Sequence, residues 1–236
     1  MQSLGHTRTA HRANHFLHTP DAFVRAPWPG MKNATAIVHA APAIGARFTQ
    51  YTAEFAPAGE LPAAQHQRFV YVLDGEIEAA GVTLRPGGFA YLPPSVSAIA
   101  SPQGGRAAII EKPYIALDGV APSSSFTGHE NAIVPQPLMG DPDLEVRSLI
   151  PAHPAFDFAV NTMTFLPGAT LPMVEAHVME HGLLFLEGGG IYRLGDAWYP
   201  VTQGDFIYMA PYCPQWFGAL GKTPAKYLIY KDWNRA

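Results

Sequence analysis

Apolar residues along this chain come in short bursts rather than long runs. Val70-Tyr-Val-Leu, Phe89-Ala-Tyr-Leu, Ala107-Ala-Ile-Ile, Leu183-Leu-Phe-Leu, Phe206-Ile-Tyr-Met and Tyr227-Leu-Ile-Tyr each stop within two residues at a Pro or a charged side chain. Short apolar or alternating segments between Gly/Pro turns read as strands, and many of them in succession predict an antiparallel sandwich or barrel. Helix is expected only as a turn or two. The bursts also recur in order. Phe55-Ala-Pro57 returns as Phe165-Leu-Pro167, Val70–Gly75 as Leu183–Gly188, Gly88-Phe-Ala-Tyr-Leu-Pro as Gly204-Asp-Phe-Ile-Tyr-Met-Ala-Pro, and Ala107–Lys112 as Lys226–Lys231. The middle blocks are offset by 113, 116 and 117 positions. A nearly constant offset predicts two copies of one domain in tandem. The expected division is an N-terminal arm over 1–35, a first copy over 36–118, a Pro-rich linker over 119–143 and a second copy over 144–236. Leu144–Leu149 is read as an edge strand of the second copy.

Composition narrows this picture. Of 236 residues only 14% are charged, against roughly 25% in an average soluble protein, while 48% are hydrophobic. With 22 Gly and 23 Pro, the chain is too apolar for disorder and too interrupted for a coiled coil. Its 15 basic and 19 acidic residues give −4, which argues against a nucleic-acid partner. Only the first 25 residues are basic (Arg8, Arg12, Arg25), which reads as a solvated arm. His6, His11, His15 and His18 are irregularly spaced and are assigned no site. No apolar run is long enough for a membrane helix, and Met1–Thr19 lacks the apolar core of a signal peptide. The lone Cys213 excludes an intrachain disulfide and a cysteine zinc cage. A soluble, cytoplasmic protein is expected, and exposed sheet faces on so uncharged a chain favour a homo-oligomer.

The chemistry concentrates in the second copy, in Glu175-Ala-His177-Val-Met-Glu-His181-Gly. Glu175 and His177, two apart, face the same side if the segment is extended, and His181 keeps that parity. Past the Pro211–Pro214 turn, another strand delivers Gln215. One carboxylate, two imidazoles and an amide oxygen form an N2O2 set with no thiolate, suited to Mn(II), Fe(II) or Ni(II) with open positions. A lone His on an apolar strand is usually a core residue; three metal-capable residues at this spacing, with Gly188 seven further on, read as a site. Tyr227 and Lys231, four apart on a strand, can face the same cavity. Glu180 and Glu187 have the wrong parity or position to be ligands, and Cys213 reads as a buried turn thiol. In the first copy the ligand places, counted along the repeat, hold Pro62, Ala64, Arg68 and Ala98. That set cannot bind a metal, so the first copy is expected to be metal-free, with His66 unpartnered as a ligand.

The Gly, His-x-His, Glu, Gly pattern resembles the cupin superfamily, with Glu175 in the first His place, His181 in the Glu place and Gln215 in the last His place. The whole chain is similar to the bicupin (S)-ureidoglycine aminohydrolase family, from Asn14–Pro20 to the terminal Tyr230-Lys-Asp-Trp-Asn-Arg235. That resemblance implies an all-β tandem cupin fold (double-stranded β-helix, or jelly-roll). It implies one Mn2+ in the C-terminal cupin, held by Glu175, His177, His181 and Gln215. It also implies substrate contacts from Glu175, Tyr192, Tyr227 and Lys231, and catalysis by Glu175 and Lys231. The expected reaction releases ammonia from the ureide (S)-ureidoglycine in allantoin breakdown. A decarboxylase or dioxygenase bicupin, or a non-catalytic ligand-binding cupin, are the alternatives that assays of ammonia, oxygen and carbon dioxide separate.

Overall fold

The computed structural model describes residues 6–96 and 98–235. Among these there is no α-helix, only strands and three short 3-10 turns at Pro20–Ala22, Pro42–Ile44 and Glu130–Ala132. The chain forms two compact units that do not follow chain order. One takes the chain up to Phe23, Pro135–Ser148 and Val160–Asp232; the other takes Val24–Val134, Leu149–Ala159 and the residues from Trp233.

In the C-terminal unit an eight-stranded sheet faces a three-stranded one. Strand His181–Glu187 lies inside the larger sheet, between Phe206–Met209 and Ala225–Lys231. Gly189–Leu194 is the middle of the smaller sheet, between Ala197–Thr202 and Gln215–Ala219. Leu183, Phe185, Tyr227 and Ile229 from one sheet, and Tyr192, Leu194 and Phe217 from the other, share one buried cluster. Asp141–Ser148 pairs with Ala159–Phe165, but the outermost strand is Gln136–Leu138, so the segment read as an edge is covered on both sides. Part of the N-terminal arm is built into this sheet rather than solvated. His15–His18 adds to Phe206–Met209 as a further strand, with Phe16 and Leu17 buried on its two sides.

The N-terminal unit is a ten-stranded sheet that curls on itself around the 13-residue strand Thr49–Leu61. Its core holds Tyr51, Val70, Val72, Ile77, Ala107 and Ile109. The ladders of the two units correspond closely. Arg68 pairs with Glu111, and Val72 with Ala107, where His181 pairs with Lys231 and Phe185 with Tyr227. Both ladders slip at a bulge at the same point. Counted from this shared bulge, Glu111, not Lys112, stands in the place of Lys231. Lys112 turns instead to a buried ion pair with Asp157.

The place corresponding to His181 is therefore occupied by a permanent cation. The Arg68 guanidinium and Glu111 carboxylate meet at 2.8 Å with both side chains under a tenth exposed. Tyr51 donates its hydroxyl to Glu111 at 2.7 Å and Arg68 also donates to the Pro62 carbonyl at 2.8 Å. A buried pair missing one partner leaves an uncompensated charge. Arg68→Ala is expected to cost about 3–5 kcal/mol in chemical denaturation. Arg68→Met with Glu111→Leu should recover most of it. Equal losses in the single and double variants would contradict the pairing.

Candidate active site and metal centre

Strand pairing positions the site from three directions. His181 opens the strand His181–Glu187, Lys231 ends Ala225–Lys231, and the two sit directly opposite each other. Tyr227, four residues before Lys231, lies on the same strand and is almost wholly buried. Tyr192 comes from the smaller sheet. Its strand starts with Gly189-Gly190, and a Cβ on Gly190 would lie 2.0 Å from the Gly218 carbonyl oxygen, so only glycine lets the strands approach this closely.

The sequence reading of Glu175 and His177 as neighbours on a strand is not what forms. Leu171–Glu180 is a loop, in which Pro172 interrupts pairing and Glu175 makes only an isolated bridge to Gln215. The bridge is two-way: Glu175 N–H donates to the Gln215 carbonyl and Gln215 N–H to the Glu175 carbonyl, both at 2.8 Å. It still brings the expected residues together. Glu175 Oε2 lies 3.1 Å from His177 Nε2, and the His177 and His181 rings are 5.4 Å apart, edge to face. Tyr192 donates its hydroxyl to Gln215 Oε1 at 2.8 Å.

His181 is the most informative group. It is buried, and its Nδ1 faces the Tyr230 carbonyl oxygen at 3.3 Å. A carbonyl only accepts, so Nδ1 carries the proton and Nε2 holds a lone pair. That Nε2 is buried with no partner. Burial, followed by the Lys231 and His177 charges, pushes the His181 pKa down to about 3, which keeps the ring neutral. A neutral imidazole with one nitrogen fixed by a carbonyl and the other bare is how histidine meets a metal. Among the described residues no three His, Cys, Asp or Glu side chains form a metal-holding group by themselves. Glu175 and His177 are engaged with each other, and the fourth donor is an amide. The donor set fits a hard or borderline divalent ion once Glu175 and His177 turn toward the bare nitrogen.

The surroundings are desolvated. Burial lowers the Lys231 pKa, with the Glu175 carboxylate pulling the other way. Tyr192 and Tyr227 are pushed well up, by burial first, then for Tyr192 by Glu175 and Cys213 and for Tyr227 by Tyr192 and Glu175. Glu187 points outward toward Lys226, whereas Glu180 is buried and accepts from the Tyr208 hydroxyl at 3.1 Å. The Glu180 N–H donates to Asp232 Oδ1 at 3.0 Å, clamping the backbone next to His181. Tyr208 and Asp232 have no spacing relation to His181 that a sequence pattern could reveal. Cys213 is a buried free thiol and His66 is exposed.

Two antiparallel barrel-like units, with Glu175, His177, His181 and Gln215 gathered in the C-terminal one, define the class as a two-barrel cupin. The cupin-domain family model matches residues 161–230. A protein of Oryza sativa named a probable (S)-ureidoglycine aminohydrolase is 40% identical over 98% of this chain and 77% of that protein. The (S)-ureidoglycine aminohydrolase of Escherichia coli is 32% identical over 94% of this chain and 89% of its own length. The crystal structure of E. coli Ylba superposes with a TM-score of 0.85 at 29% identity, covering 98% of this chain and 96% of that one. Bacillus subtilis oxalate decarboxylase, a protein with Mn(II) centres, shares the fold at a TM-score of 0.71 and 10% identity, over 97% of this chain and 80% of its own. The chain belongs to the (S)-ureidoglycine aminohydrolase family, a family of hydrolases.

The bare nitrogen yields a stability prediction. In chelator, His181→Leu should leave the thermal stability unchanged or raise it, because the variant removes an unsatisfied buried polar atom. A loss above about 2 kcal/mol would mean that the ring serves the fold instead.

Proposed function

We propose that the C-terminal barrel hydrolyses (S)-ureidoglycine to (S)-ureidoglycolate and ammonia, in ureide breakdown, using one Mn2+. The observation that carries the reading is the unpartnered Nε2 of neutral His181, set among Glu175, His177 and Gln215. The names of the relatives support the substrate.

Water adds a C–O bond at the carbon bearing the carboxylate, amine and ureido groups, the C–N bond to the amine breaks, and the amine leaves as ammonia. A manganese ion held by Glu175, His177, His181 and Gln215 would supply Lewis acidity for orienting the substrate and for acidifying water. The chain's own groups bind and move protons. Lys231, its charge disfavoured by burial, is set to pair with the substrate carboxylate or pass a proton to the departing amine. Glu175, whose carboxylate charge acts on Lys231, is the proton acceptor at hand. Tyr192 spends its hydrogen on Gln215 but keeps oxygen lone pairs for a substrate N–H. Tyr227, deeply buried and neutral, shapes the wall.

The test uses ureidoglycine generated in place from allantoate, with ammonia followed over the spontaneous rate. Activity should vanish in chelator and return with Mn2+, and His181→Ala or Lys231→Met should lower kcat by at least about 100-fold. A Mn2+-loaded protein that releases no ammonia above background would overturn the proposal. Oxygen uptake or carbon dioxide release would favour the other bicupin chemistries.

A further inference from the structure

The reaction makes no use of the N-terminal arm, although the arm is built into the barrel that carries the site. We propose that the arm is a positioning element for that site: Asn14 and His15 hold the Pro211–Pro214 turn and so fix where Gln215 enters the cavity. The proposal rests on the reading of Gln215 as a site residue.

The arm's strand pairs His15 with Met209, and its hold continues past the end of the sheet, because the Ala210 N–H donates to the Asn14 carbonyl at 2.9 Å. The His15 side chain is buried and both its nitrogens are used. Asn14 Oδ1 lies 2.9 Å from Nδ1 and can only accept, so Nδ1 carries the proton. Nε2 then accepts from the Tyr199 hydroxyl at 2.9 Å. Tyr199 sits opposite Tyr192, whose hydroxyl goes to Gln215. On its other side the His15 ring meets Cys213, with Sγ 4.0 Å from Nδ1.

The turn needs such support. Tyr212 has a φ of 62°, a left-handed conformation that a bulky side chain holds only when its surroundings determine it. The Tyr212 N–H donates to the His177 carbonyl, the Cys213 N–H to the Ala210 carbonyl, and the Pro214 carbonyl accepts from Gly195 at 2.8 Å. The site loop therefore holds the turn on one side and the arm holds it on the other. The arm is held separately at Arg8, which donates to both oxygens of Asp205, a wholly buried carboxylate.

The experiment compares full-length His15→Ala, His15→Gln and Thr19→Ala. Thr19 is a buried hydroxyl at the far end of the same arm, bonded to Thr9, and controls for arm stability alone. In metal-free protein, His15→Ala should speed amide exchange of Gly195, Ala210, Tyr212, Cys213 and Gln215 on the order of tenfold. His15→Gln should restore part of the protection, and Thr19→Ala should leave these amides unchanged relative to the rest of the barrel. With Mn2+, His15→Ala should weaken binding about tenfold by titration. Uniformly faster exchange across the barrel in His15→Ala, matching Thr19→Ala, would overturn the positioning role. Exchange is read without metal, so it decides this proposal even if the wild-type protein holds no Mn2+, a result that would sink the functional reading alone.

Discussion

A neutral imidazole buried with one nitrogen hydrogen-bonded and the other bare gives up the hydration of the second, a loss on the order of 1–3 kcal/mol. His181 is in that position, and much of the C-terminal barrel is arranged around it. The Tyr230 carbonyl fixes its tautomer, the Asp232 clamp holds the preceding backbone, and Lys231 faces it across the ladder. Leu in that place would fold without the loss. An uncompensated polar atom kept among apolar walls is intelligible if a ligand completes it, and Glu175, His177 and Gln215 are the donors at hand.

The N-terminal barrel shows the same ladder without that vacancy in its bonding. Arg68 and Glu111 occupy the two facing positions and satisfy each other, with Tyr51 and the Pro62 carbonyl taking up remaining bonds. The counterpart of Tyr227 is Ala107, in the apolar core. One architecture therefore carries two electrostatic solutions: a covalently attached cation with its own counter-charge, and a set of neutral and anionic donors left open.

Much of this was legible in the chain. The Gly/Pro-punctuated bursts gave the all-β class, because strands this short need a turn every few residues. The repeat gave two barrels, and the 175, 177, 181 and 215 set gave the residues that the fold brings together. Other features depended on tertiary pairing. Parity placed Glu175 and His177 together on a strand, but Pro172 and the bridge to Gln215 make the segment a loop that gathers the same residues by another route. The ladder register sets Glu111, not Lys112, opposite Arg68 and so in the place of Lys231, one residue from where the repeated apolar bursts put it. The basic arm read as solvated because charge dominates its composition, whereas Phe16 and Leu17 decide its fate by adding a strand to the sheet.

The two barrels share a ladder, and under the proposed function only the C-terminal one holds a metal. Crystals grown with Mn2+, with anomalous diffraction collected at the manganese edge, address it directly. The expected map has one peak per chain, within bonding reach of His181 Nε2, Glu175, His177 and Gln215, and none near Arg68 and Glu111. A peak in the N-terminal barrel, or an ion bound elsewhere with His181 Nε2 still bare, would contradict it.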